Sequence, residues 1–93
     1  MNISLDFDDT YTKDPALWNK FIVEARASGH RVFVVTMRYG HGPEAEEVRN
    51  LLGDGKTDGI YFTGRRFKEE FMARESDIRI DVWIDDTPRF ITG

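Results

Sequence analysis

Two apolar stretches of this chain run directly into carboxylates. Ile3-Ser4-Leu5 leads into Asp6-Phe7-Asp8-Asp9-Thr10, and near the other end Val82-Trp83-Ile84 leads into Asp85-Asp86-Thr87. Packing gives no reason to end a buried strand in two or three acids. Like charges a few ångströms apart repel, and they stay ionised only with something positive among them. If both clusters reach one place, the guest they suit is a hard divalent cation with oxygen ligands, such as Mg²⁺. Such a cation offsets the repulsion between an anionic nucleophile and an anionic phosphate. On that reading Asp6 attacks phosphorus and forms an aspartyl-phosphate. Asp8 protonates the leaving oxygen and then activates water, and Asp85, alone or with Asp86, completes the metal shell. A single aspartate at a strand end serves equally well as a helix cap; it is the pair of acidic clusters that favours metal chemistry.

Three further positions carry weaker signals. Thr36 follows the apolar run Val32-Phe33-Val34-Val35, where its hydroxyl can donate to a phosphoryl oxygen beside free backbone N–H groups or satisfy its own backbone. Lys68, just after Thr63-Gly64-Arg65-Arg66, can supply the fixed ammonium that a carboxylate-rich site needs. Lys56 competes for that role, but it precedes the third strand and so falls on the opposite edge of the sheet. Gly53-Asp54-Gly55-Lys56-Thr57 is not a P-loop, because Asn50 stands where a glycine is required and a helix is predicted where a strand should be. His30 and His41 are not spaced as a zinc pair.

The elements that must position these residues follow from periodicity. A strand is predicted over Ile3 to Phe7. Asp14-Pro15 reads as an N-cap and first helical residue, with Leu17, Trp18, Phe21, Ile22 and Ala25 facing a sheet at helical spacing and Gly29 as the stop. The second strand spans Arg31 to Val35. A second helix opens at Pro43, carries Val48, Leu51 and Leu52 on its apolar side and ends at Gly53. Gly59 to Phe62 is the third strand, Arg66 to Arg74 a short helix with Phe67 and Phe71 one turn apart, and Ile80 to Ile84 the fourth strand. This alternation argues for a parallel sheet with right-handed crossovers, whose strand C-termini line one edge where ligands bind. Asp6, Asp8, Thr36 and Asp85 all lie at or just past strand ends.

Arranged this way, the residues resemble the haloacid dehalogenase-like superfamily of phosphohydrolases. The first motif of that family, Asp-x-Asp-x-Thr/Val after an apolar strand, is Asp6-Phe7-Asp8-Asp9-Thr10 here. The second, a Thr or Ser ending the next strand, is Thr36; the third, a lysine opening a later helix, is Lys68; the fourth, an acidic pair after another strand, is Asp85-Asp86. The motifs occur in the family's order and cover essentially the whole chain. The resemblance implies a Rossmann-like three-layer α/β/α sandwich with strands ordered 4-1-2-3. It also implies Mg²⁺ held by Asp6, the backbone carbonyl of Asp8, and Asp85, with Asp6 as nucleophile and Asp8 as acid/base. Asp9 stands where many members have glycine, as in some nucleotidase-like and phage-type members.

Only a few residues separate Thr10 from the helix at Pro15, so no cap domain is expected over the site. An uncapped site admits a phosphate on something large, or it is closed by a second copy of the chain. Tyr11, Arg38, Tyr39, His41, Arg65 and Arg66 follow strand ends and can rim the opening. Arginines suit a second phosphate or a nucleotide, and tyrosines can stack on a base. Asp9, Thr10, Arg38 and Arg65 are the substrate-side candidates, with phosphorylated small molecules, nucleotides or nucleic-acid ends as partners. A receiver-type phospho-acceptor domain uses similar residues, but its acceptor aspartate ends the third strand, where this chain has Phe62-Thr63.

Composition narrows the field further. Ninety-three residues suggest one domain, and 40% hydrophobic content is enough for a packed core. The net charge of −4 gives no general attraction to nucleic acid or anionic membranes, and the lack of cysteine rules out disulfides and thiolate metal sites. No apolar run is long enough to span a bilayer. With no signal-peptide pattern at the start, the expected location is the cytoplasm. The chain stops soon after the fourth motif, so it reads as a minimal core with a sheet edge that a partner can cover.

Overall fold

In the computed structural model, which describes Met1–Gly93, every strand leads to the next through a helix. The elements are β1 (Asn2–Leu5), α1 (Pro15–Ala27), β2 (Arg31–Thr36), α2 (Gly42–Leu52), β3 (Gly59–Phe62), α3 (Lys68–Glu75), β4 (Val82–Ile84) and α4 (Arg89–Thr92). A 3₁₀ turn, Tyr11–Lys13, lies between β1 and α1. All four strands are parallel, in the order β3-β2-β1-β4, which from the other edge is β4-β1-β2-β3. The result is a compact α/β unit consistent with a Rossmann-like fold, and none of its helices is long and apolar enough to cross a membrane.

Local chemistry sets the element ends. The Asp14 carboxylate accepts the amide of Leu17 at 3.2 Å, and Pro15 takes the first helical position, where its missing N–H costs nothing. At the other end of α1, Gly29 adopts φ +88, and the amides of Gly29 and His30 return to the Arg26 and Ala25 carbonyls. That closure needs a left-handed residue, which glycine supplies without strain.

Strand alternation decides which helix meets which face. Leu5, Val32 and Val34 point to one side and share a buried cluster with Ile22 of α1 and with Val48 and Leu52 of α2. Ser4, Phe33 and Val35, one residue out of phase, are buried on the other side. Met72 of α3 lies beside Trp83 there, lining one groove with it. Asp6 and Asp85 continue this second parity, so both acids emerge on the α3 face.

Several boundaries and facings differ from the sequence reading. Leu17 and Leu51 are exposed, not packed on the sheet. At 3.6 residues per turn, each lies roughly 90–110° round its helix from the centre of the buried stripe, set by Trp18, Ile22 and Ala25 in α1 and by Ala45, Val48 and Leu52 in α2. The predicted helix from Arg66 begins at Lys68, and Phe67 ahead of it is exposed. Strand β1 ends at Leu5 and β4 starts at Val82, both shorter than predicted. The single bonds Asp6 N–H to Ile84 O (3.0 Å) and Asp81 N–H to Asn2 O (2.8 Å) carry the pairing one residue further without adding to the strands. α4 carries no periodic signal long enough to anticipate.

Candidate functional site

Because β1 and β4 are adjacent, with Leu5 opposite Ile84, residues 79 positions apart leave the sheet side by side. Carboxylate oxygens of Asp6, Asp85 and Asp86 all lie within 4.8 Å of one another. Lys68, the first residue of α3, reaches over this group. Its Nζ lies 2.8 Å from Asp6 Oδ1 and also bonds Asp85 Oδ2. The lysine is 1% exposed and Asp6 7%, so this charge pair is largely out of water. Lys56 makes no approach to it; its Nζ donates to the Leu51 carbonyl at 3.3 Å.

Thr10 lies between members of the acidic group and does not line the cavity. Its Oγ1 lies 3.3 Å from both Asp6 Oδ2 and Asp86 Oδ1 and accepts the Asp86 amide at 3.3 Å. One hydroxyl proton serves only one of the two carboxylates at a time, so Thr10 ties the first loop to the last and sets the spacing of Asp6 and Asp86. Asp85 is fixed from its other oxygen, where Oδ1 accepts the Thr87 amide at 2.9 Å in a turn closed by the aspartate's own side chain.

Burial pushes the Asp6 carboxyl up to about 7, against the downward pull of Lys68, while the neighbouring Asp85 charge adds to the rise. Asp86 goes the other way. A hydrogen bond from Asp6 is the main cause that holds it below the ordinary carboxylate range, with help from Thr10 and Thr87. Together the two shifts make Asp6, not Asp86, the carboxyl that takes up a proton first as pH falls. With Asp6, Asp85 and Asp86 all ionised, the charge against one lysine is −2, and the proton relieves part of that excess.

Asp8 stands apart from this group. Its two oxygens are held by Arg38 Nη2 at 2.8 Å and Nε at 3.0 Å, so its side chain is not among the clustered ligands. Arg38 is a fixed strut. It also contacts Glu47 Oε1 at 2.6 Å and the Glu44 carbonyl at 2.8 Å, and it stacks 4.9 Å over the buried Phe7 ring. These carboxylates raise its already high pKa further. Thr36 ends β2 as predicted but is 1% exposed, accepts the Arg38 amide at 3.3 Å and does not line the cavity.

The cavity beside these residues has a volume of about 390 Å³. Five acidic side chains, Asp6, Asp8, Asp9, Glu44 and Asp86, line it together with Arg38 and Arg65. Asp9 enters through a left-handed backbone, φ 61, which aspartate tolerates. The rest of the expected rim is uneven. Tyr11 is buried, stacked on Phe7 and donating to Asn19, so it plays no part at the opening. Arg66 lies over Phe71 and pairs with Glu75. Tyr39 and His41 are exposed, their rings 5.9 Å apart.

Sequence reasoning did not assign Glu44, Glu47, Thr87 or Phe90 to the site. Thr87 carried a signal, since Asp-x-Thr is a common self-closing turn; the others join through tertiary contacts alone. Compared with protein-family models, with curated proteins and with solved structures, the chain matches none.

Proposed function

We propose that this chain is a Mg²⁺-dependent phosphomonoesterase of the haloacid dehalogenase-like kind, a Rossmann-like three-layer α/β/α unit that works through an aspartyl-phosphate on Asp6. The observation that carries the reading is the convergence of Asp6, Asp85 and Asp86 within 4.8 Å under a buried Lys68. This donor set fits a hard divalent cation. It offers only oxygens, and its formal charge of −2 after counting Lys68 is what a 2+ ion cancels. Asp6, Asp85 and Asp86 would hold the metal, which when bound supplies charge neutralisation for the phosphate and its attacking carboxylate.

The chain's own residues do the rest. Lys68 keeps Asp6 pointed into the cavity and favours its ionised, nucleophilic form. Thr10 spaces Asp6 from Asp86. Asp8, at the cavity wall, is the acid/base candidate. Thr36 holds the Arg38 amide, so it shapes the loop that carries the arginine. With no inserted domain between β1 and α1, a substrate enters from solvent, or a second copy of the chain covers the opening.

A second reading has one specific observation in its favour. Both oxygens of Asp8 are engaged by Arg38, and a carboxylate locked in that fork cannot hand a proton to a leaving group. On this reading the chain binds metal and phosphate without turnover. Asp6→Asn decides for the first reading if it abolishes hydrolysis of p-nitrophenyl phosphate; activity equal to the parent's removes Asp6 as nucleophile. Single-turnover assays with and without Mg²⁺ separate hydrolysis from binding alone.

A further inference from the structure

Arg65 is an anomaly that the reaction itself does not explain. It adopts φ +74, directly after Gly64 at φ +61. A left-handed backbone is uncommon for any side-chain-bearing residue and unusual for a long one such as arginine, and such strain persists only where surrounding bonds enforce it. Those bonds are present. The amides of Thr63, Gly64 and Arg65 donate to the carbonyls of Thr36, Arg38 and Met37 at 2.8, 3.1 and 2.8 Å. They staple the loop after β3 to the loop after β2 and hold Arg65 at the cavity wall.

The Arg65 side chain is exposed and has no hydrogen-bond or ion-pair partner within the chain, although five acidic side chains line the same cavity. Arg38, the other cavity arginine, is spent on Asp8 and Glu47. Beside Arg65, the Tyr39 ring rests against Gly64 so closely that a Cβ there would stand 3.1 Å from it, and Tyr39 as a residue is 46% exposed. An unpaired arginine offers a planar fork to phosphate, and an exposed aromatic ring offers a stacking face to a base.

We infer that Arg65 and Tyr39 form a leaving-group subsite for a nucleotide that carries a second phosphate beside the phosphomonoester to be cleaved. This rests on the phosphomonoesterase reading and specifies its substrate class. The shared chemistry is a base, a sugar and two phosphates, which a free nucleoside bisphosphate and a 5′-phosphorylated strand end both provide.

Arg65→Gly is the informative substitution, because glycine takes the left-handed backbone freely; an undiminished melting temperature shows that the fold is intact. Binding is measured by calorimetry with Mg²⁺ in an Asp8→Asn background, with arginine or glycine at position 65. The ligands are phenyl phosphate, propane-1,3-diol bisphosphate, adenosine 3′,5′-bisphosphate and a 5′-phosphorylated dinucleotide. The expected result is about 10- to 100-fold tighter binding of one or both nucleotide ligands than of phenyl phosphate, the range of one or two charge-assisted hydrogen bonds. Glycine at 65 should reduce that advantage to about threefold or less. Which nucleotide ligand shows it tells free nucleotide from strand end. Equal binding of mono- and bisphosphates, an advantage that survives Arg65→Gly, or a base-free bisphosphate that binds as well as the nucleotides would each overturn the inference. Hydrolysis of p-nitrophenyl phosphate by the unmodified chain is assayed in parallel. Turnover without the Arg65-dependent preference leaves the phosphomonoesterase reading standing and removes this subsite. The preference without turnover keeps the subsite and removes the catalytic reading.

Discussion

Lys68→Met tests the electrostatic core of the site most directly. Methionine matches the lysine side chain as far as Cε and lacks only the terminal nitrogen, so packing changes little and the ammonium is the main loss. Lys68 is 1% exposed and bonds both Asp6 and Asp85. Removing one partner of a buried ion pair leaves the other uncompensated, at a typical cost of about 3–5 kcal/mol. Against a total stability of roughly 5–15 kcal/mol, that is a large fraction. For a domain of this size it corresponds to a fall in Tm of roughly 15–25 °C. Urea titration in EDTA, followed through the fluorescence of Trp18 and Trp83, measures it directly.

The pH dependence of that loss separates charge from packing. Lys68 pulls the Asp6 pKa down, so without it Asp6 titrates above its present value of about 7. A carboxyl whose folded pKa is raised binds its proton more tightly folded than unfolded. The contribution of Asp6 to stability is therefore greatest at and below about pH 4, falls by about 1.4 kcal/mol per unit as pH rises, and levels off only above the folded pKa. The variant keeps falling past pH 7, where the parent levels off. Its deficit should accordingly be largest at pH 8 and clearly smaller at pH 5. A Lys68→Met protein within about 1 kcal/mol of the parent at pH 8, or one with the same deficit at both pH values, would refute the assignment of Lys68 as the counter-charge.

Mg²⁺ binding to the unmodified chain should release one proton below pH 7, because Asp6, held up to about 7 by burial, must ionise to bind; the affinity then rises up to about tenfold per pH unit to pH 7 and flattens above it, and calorimetry in buffers of different ionisation enthalpy counts the proton. Thr10→Val keeps the side-chain shape but removes the hydroxyl between Asp6 and Asp86; Mg²⁺ affinity should fall by about 10- to 100-fold, and an unchanged affinity would show that the spacing of the two carboxylates does not depend on Thr10.

What could be read from the sequence was local or strictly periodic. The Asp14-Pro15 helix start works through atoms within three residues of each other. The run Val32 to Val35, all β-branched or aromatic, reads as a strand, and the structure buries it on both faces. The acids at Asp6 and Asp85 were legible because ending an apolar strand in charge has few bland explanations. The failures have a common character. Helical spacing puts Leu17 near the right face but not how wide a stripe the sheet covers. The fork between Arg38 and Asp8 depends on how two loops from adjacent strands meet, and nothing in either loop specifies it. Thr10 was noticed as part of a motif, yet its role between two carboxylates exists only once the last loop lies against the first.

The fork and the acidic group make opposite demands on the same cavity. Asp6, Asp85 and Asp86 carry more negative charge than Lys68 cancels, and a proton or a cation must make up the difference. Asp8 shares Arg38 with Glu47, so these two carboxylates keep a formal charge of −1 after the arginine is counted. The cavity therefore has one wall with a formal charge of −2 and another where Arg38 offsets only part of the negative charge, with Arg65 unpaired at its margin. A phosphate entering this space has a ready place beside the first wall only if a cation precedes it, since otherwise it meets three carboxylates. Metal should therefore bind first and anion second, an order that follows from the charge distribution alone and that titrating phosphate in the presence and absence of Mg²⁺ makes visible.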